Sequence, residues 1–397
     1  MLTSQTNNKP LLLLLFLIAL SPLGIDIFLS AIPSISVSFA VPTSSVQSTI
    51  ALYLLAGGIG QLFIGQLADR FGRRPTLLFG IVLYIGGAVL ASVATHIETL
   101  WVSRIIQGIG SSAISISIMA TVRDHYGEKQ SGQIYSYVVG AIYIVPAIAP
   151  MLGAWLTKTF DWRFNFWFMA AYALVMLGVA SASFKESKPK QTLQDQSVSS
   201  LKQYRNILSN SSFFIYAVLV MLSMTIVVQF LTVSPMILVV QMGLDTTSFS
   251  VWFGLNAIVT IIGAYLAPKF VNITGVKRAI WIGCVVNLVA AFWLLKASYS
   301  PLSFMAPIFL SSLGLCLLFA TCSSSALAAF GNNAGKASAL LGFVQMSGSS
   351  LLVALTQRFP LTAIESLGVI MMLPLVWWGC IQWITKKQNK LSTKVVR

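Results

Sequence analysis

Apolar runs of roughly twenty residues or more recur along the whole chain, with short polar gaps between them. Each run is long enough to cross a hydrocarbon core of about 30 Å as a helix. Only 9% of the residues are charged and 56% are hydrophobic, where a soluble domain carries about 25% charged residues. The chain therefore reads as an all-α polytopic membrane protein.

Segmentation by hydropathy gives twelve transmembrane helices: 11–33, 46–68, 75–95, 99–122, 132–156 and 162–184, then 212–235, 246–268, 277–296, 301–324, 336–356 and 366–385. The opening Lys9 and LLLLLFLIAL resemble a signal peptide, but the apolar run continues through Asp26 to Pro33, past an h-region of about 7–15 residues. It is read as a retained first helix. The expected organisation is an N-terminal bundle of six helices (1–184), a polar linker (185–211) and a C-terminal bundle of six (212–397) with a basic tail. Within the linker, Leu201, Tyr204, Ile207 and Leu208 share one helical face, which suits the membrane surface.

The net charge of +15 does not signal a nucleic-acid partner, because the charges sit in gaps between apolar runs instead of on a polar surface. Of the 25 Lys and Arg residues, 20 fall on the side of the bilayer that holds the N-terminus and four (Lys158, Arg163, Lys296, Arg358) on the other. The remaining one, Arg104, lies inside the fourth helix. The positive-inside rule then places both termini and the linker in the cytoplasm. Cys284, Cys316, Cys322 and Cys380 all fall within expected helices without C-x-x-C spacing, so neither a disulfide framework nor a metal site is indicated. No histidine lies inside a helix and no phosphate-binding glycine loop is present, which argues against an enzyme and against ATP-driven pumping.

The two halves echo each other. GQLADRFGRRP follows the second helix, and GAYLAPKFVNITGVKR occupies the matching place after the eighth, with Gly263 opposite Gly65. Internal repeats of this kind build many secondary transporters. In the first copy Gly65 is expected to admit a neighbouring helix, and Gly72 to supply a positive-φ reversal. Asp69 is placed to pair with an arginine of its own loop or with a helix N-terminus. Arg70 shares this loop, and Arg73 and Arg74 are expected to reach lipid phosphates.

This loop resembles the signature G-x-x-x-D-R-x-G-R-R of the major facilitator superfamily. Arg104 in RIIQGIGSS resembles the R-x-x-Q-G motif of its drug–proton antiporters, and IDIFLSAIP and Tyr53 resemble the bicyclomycin-resistance-like branch. Pro146, Pro150 and Gly153 match the fifth-helix antiporter motif, in which Ala149 and Ala154 replace glycines. The resemblance implies the major facilitator fold, with two pseudo-symmetric six-helix bundles and helices 1, 4, 7 and 10 lining a central cavity. It also implies a monomer in the inner (cytoplasmic) membrane that uses a proton gradient and no bound cofactor.

Of ten acidic residues, only Asp26 is deep in a helix. Its burial costs roughly 2.5–3.5 kcal/mol on insertion scales, a cost usually retained for an ion or proton pathway. Counted from the outer helix ends, Asp26 and Arg104 lie at similar depths of roughly 10 and 8 Å, so a direct ion pair is expected as one arrangement. Desolvation disfavours the charged carboxylate and a nearby arginine favours it; proton and substrate then compete for one site. The plainer alternative makes Asp26 a hydrogen-bonding link to Ser21 or Ser30.

Gln107, Met119, Tyr135, Gln229, Phe230, Asn256 and Phe319 are the expected cavity residues, since aromatic and thioether surfaces adapt to varied ligands. The expected function is a proton-coupled exporter of amphiphilic small molecules. A dedicated exporter of one metabolite or siderophore is the second reading, and a non-transporting sensor of the same fold the third.

Overall fold

The computed structural model describes residues 9–187, 200–330 and 334–395, all helices and connections without strands. Twelve helices among them are long and apolar enough to span a membrane. They are α1 (Leu11–Phe39), α2 (Thr43–Phe71), α3 (Arg73–Ser92), α4 (Ile97–Tyr126), α5 (Gly140–Thr159), α6 (Arg163–Ser183), α7 (Ser211–Gln241), α8 (Thr246–Thr274), α9 (Val276–Leu295), α10 (Pro301–Leu327), α11 (Gly335–Thr356) and α12 (Ala363–Thr385). Linker residues 188–199, with Lys188 and Lys190, and the terminal Arg397 lie outside the described residues. A short helix, Ser200–Leu208, precedes α7; there Ile207 is buried and Leu208 exposed, so the expected apolar face is only partly open.

Helices α4 and α5 form one continuous helical run of 63 residues, where a gap is expected from hydropathy. A straight helix of that length would extend about 95 Å. Its ends are instead neighbours: the Arg163 guanidinium, just past α5, donates to the Ala94 carbonyl just before α4, at 3.2 Å. The run therefore doubles back and counts as two spans.

Close packing groups Met1–Ser200 with Val239–Ala257, and Leu201–Leu238 with Ile258–Arg397. In the first unit α3 and α4 cross at Gly80 and Gly110, where a Cβ on Gly80 would stand 2.9 Å from the Gly110 carbonyl. In the second unit α9 and α10 cross the same way, with a Cβ on Gly283 3.0 Å from the Gly314 carbonyl. Small residues at such crossings let backbones meet, the main route to tight packing in lipid. The loop glycines repeat too: Gly72 (φ 108°) precedes α3 and Gly275 (φ 80°) precedes α9, each in the positive-φ region that favours glycine.

Helix α1 extends six residues past Pro33, the expected terminus. Pro33 instead occupies the first turn of its last segment, Ile32–Phe39, a position where the missing N–H is harmless. The cost falls upstream. Without their N–H groups, Pro22 and Pro33 cannot bond the carbonyls of Ile18 and Leu29, and their rings crowd those carbonyls. Ahead of Pro22 the helix is interrupted at Ala19, between Lys9–Ile18 and Leu20–Asp26; ahead of Pro33 it stops after Asp26, and a 3₁₀ turn, Leu29–Ala31, leads into the final segment. Asp26 thus lies 15 residues from Leu11 and 13 from Phe39, midway along α1 and deeper than its expected outer position.

Candidate functional site at the break in helix 1

The break exposes backbone acceptors. The last intrahelical bond before it runs from Ile27 N to Leu23 O, so the carbonyls that follow need other partners. Arg104 of α4 supplies one: its Nη2 donates to the Gly24 carbonyl. Its Nη1 donates to the Gln107 side-chain oxygen one turn along the same helix. The guanidinium lies over the rings of Tyr53 (4.5 Å) and Phe28 (4.7 Å), with Phe166 at 6.0 Å. Arg104 is 0% exposed, and aromatic faces plus hydrogen bonds are what make a dry guanidinium tolerable.

Two glycines let this assembly close. A Cβ on Gly24 would stand 2.7 Å from the Tyr53 hydroxyl, and one on Gly108 would strike the Tyr53 carbonyl. Tyr53 Oη in turn donates to Ser21 O at 2.9 Å, and Ser111 Oγ to Ser21 Oγ at 2.8 Å. These bonds tie α1, α2 and α4 together just ahead of the acid.

Asp26 itself is 4% exposed. Among the described residues its carboxyl makes no hydrogen bond and no ion pair; the ion pairs present are Arg73–Asp69, Arg73–Asp124 and Arg163–Asp161. The direct Asp26–Arg104 pair that similar depth allows is not formed: Nη1 and Nη2 of the guanidinium bond Gln107 and Gly24, while its Nε is buried without a partner. The link through Ser21 or Ser30 is absent as well: Ser21 is taken by Ser111, and the Ser30 hydroxyl is buried without a partner. A nearly buried carboxylate without a partner is costly, and a neutral carboxylic acid far less so.

The fifth-helix motif meets the same break. A Cβ on Gly153 of α5 would run into the Ile27 carbonyl, next to Asp26. Pro150 O accepts a hydrogen bond from Ser250 Oγ at 3.0 Å, and Ala149 and Ala154 are both buried. Pro146 lies one turn before Pro150 and is half-buried.

The α2–α3 loop forms a second cluster. Arg73 pairs with Asp69 at 2.6 Å and, through Nε, with Asp124 of α4 at 3.0 Å. Its side chain is buried between these carboxylates, so it does not reach lipid as expected. Arg74 is also held, donating to Ser181 O at 2.7 Å, and Arg70 stacks on Phe71. Of the two expected roles of Asp69, pairing with an arginine of its own loop is the one formed; the N-terminus of α3 is capped by Glu186, which accepts from Arg73 N (2.9 Å) and Arg74 N (3.1 Å). The expected helix approach at Gly65 is missing, since a Cβ there would meet nothing within 4 Å.

Of the expected cavity residues, Gln107 alone joins the Arg104 assembly. Met119 sits 15 residues further along α4, about 22 Å away. Tyr135 lies in the helical run, but its side chain is outside the described residues. Gln229 is buried in the second unit and donates to Ser366 Oγ at 2.8 Å, with its own oxygen unpartnered. Phe230 is buried, and Phe319 and Asn256 are half-buried. Phe28 and Tyr53, which the motifs include, join Phe166 as the cage of Arg104; Phe166, Met169 behind Gln107, and Asp124 and Glu186 in the loop cluster are neighbours that motif spacing does not reveal.

Twelve apolar spans, with a buried acid at the break in the first, are the makings of a membrane transporter. The chain belongs to the Major Facilitator Superfamily, whose family profile matches residues 14–353. It is 28% identical over 362 residues to the multidrug resistance protein MdtL of Shewanella sp. (strain ANA-3), covering 89% of this chain and 90% of that protein. It is 29% identical over 335 residues to MdtL of Escherichia fergusonii, covering 84% and 85%. Among solved structures, a D-xylose–proton symporter shares the fold with a TM-score of 0.74 at 16% identity, covering 93% of this chain and 97% of that one. A peptide transporter solved with sulfate gives 0.76 at 14% identity, covering 96% and 95%.

Proposed function

We propose that this protein is a proton-coupled antiporter that exports amphiphilic small molecules by alternating access. In this reading it works as a monomer in the bacterial inner membrane with both termini in the cytoplasm. The observation that carries the reading is the buried, unpartnered Asp26 carboxyl at the break in α1, beside an arginine engaged elsewhere. A protonated Asp26 adds no unpaired negative charge at the break, so α1 can stay packed. Loss of the proton creates a carboxylate that needs water or a cationic or hydrogen-bond-donating substrate. Proton and substrate then exclude one another at one group, which is sufficient for exchange.

The drug-like substrate class is supported by the names of the relatives, and inward-directed basic loops support the orientation. The proton gradient serves as the energy source, with no bound cofactor. Purified protein in liposomes with an imposed pH gradient tests this against a panel of cationic, neutral and anionic compounds. Gradient-driven movement of several amphiphiles is expected. Movement of a single metabolite would point to a dedicated exporter, and indifference to the gradient for every compound would refute antiport.

A further inference from the structure

The Gln107 amide is held from both ends. Arginine has only donors, so the amide oxygen must face Arg104, and the amide nitrogen is turned the other way. There Nε2 donates to the thioether sulphur of Met169 in α6, at 3.6 Å. Tyr84 of α3 sends its hydroxyl to the same sulphur at 3.5 Å. Gln107, Tyr84 and Met169 are each fully buried. The stem of Gln107 is wedged as well: a Cβ on Gly87 would lie 2.9 Å from Gln107 Cβ.

From this geometry we infer that Met169 is a positioning residue for the break in α1. Its sulphur fixes the Gln107 amide, the amide fixes Arg104, and Arg104 holds the Gly24 carbonyl two residues before Asp26. Methionine is suited to this place because it is apolar in bulk yet carries an acceptor. It takes two donors without competing for the guanidinium. A carboxylate or amide there would draw Arg104 away from Gly24, and a leucine would leave two buried donors unpaired. The role in transport rests on Asp26 being the coupling group, whereas the role in holding α1 does not.

The test therefore reads both. In the purified full-length protein, Met169→Leu is expected to speed backbone hydrogen exchange in peptides covering 20–32 by roughly fivefold, the size of one weak buried hydrogen bond. Exchange in α9–α12 should stay unchanged. In liposomes with a pH gradient the same variant should lower the maximal rate by a similar factor with little change in KM. Gln107→Leu should reproduce both effects, and the double variant should be no worse than Gln107→Leu alone. If Met169→Leu does not accumulate, the same exchange measurement on Met169→Ile, which also removes the sulphur and leaves Gln107 intact, decides the point. Unchanged exchange at 20–32 in either variant, or losses that multiply in the double variant, would overturn the inference. Faster exchange at 20–32 in a protein whose transport ignores the gradient would uphold the positioning role while refuting proton coupling.

Discussion

Arg104 grips the backbone carbonyl of Gly24 and leaves the carboxyl of Asp26, two residues on, without an ion partner. The break in α1 therefore does two jobs. It frees an acceptor that anchors the arginine, and it presents the acid at the end of a helical segment.

Arg104→Lys keeps the charge but loses the planar fork that reaches Gly24 and Gln107 together while stacking on Tyr53 and Phe28. Losing one charge-assisted hydrogen bond of about 1.5–3 kcal/mol corresponds to roughly a tenfold to hundredfold drop in transport rate. Initial rates in liposomes check this. If a positive charge were all that mattered, the lysine variant would run at the wild-type rate.

Gly153→Ala and Gly65→Ala should behave as opposites. The first drives a methyl group into the Ile27 carbonyl, a backbone atom with nowhere to go, and should cost about 1–3 kcal/mol of stability. The second meets open space within a helix, where alanine is the better helix former, and should leave thermal unfolding in detergent unchanged or slightly raised. Comparing the two Tm values measures the contrast directly.

Glu186→Ala removes the cap from the Arg73 and Arg74 amides at the start of α3. Loss of such a cap costs about 0.5–2 kcal/mol, so a lower Tm is expected while the Arg73–Asp69–Asp124 ion pairs persist. Glu186→Gln, which keeps an acceptor oxygen, should recover part of the loss.

The twelve spans, the Gly72 reversal and the Asp69–Arg73 pair were legible in the sequence because length, hydropathy and loop spacing are local properties. The extent of α1 was not: Pro33 reads as a terminator from spacing, yet it fits the first turn of the next segment. Depth counting brought Asp26 and Arg104 to one level, and the structure keeps them near each other in the chain fold. It could not show that a broken backbone would offer a better-placed acceptor than the side chain. Glu186 was hidden for a related reason, since it lies more than a hundred residues from the amides it caps, in a linker that reads as polar spacer. Met169 carried no signal at all, because a methionine in a membrane helix usually means packing.

The most direct test of the account is Asp26→Asn in liposomes with an imposed pH gradient, with insertion and Tm checked against the wild type. The substitution keeps the shape of the side chain and removes its titration. The account predicts loss of gradient-driven accumulation while substrate still equilibrates down its own gradient. A variant that continues to concentrate substrate at the expense of the proton gradient would contradict it.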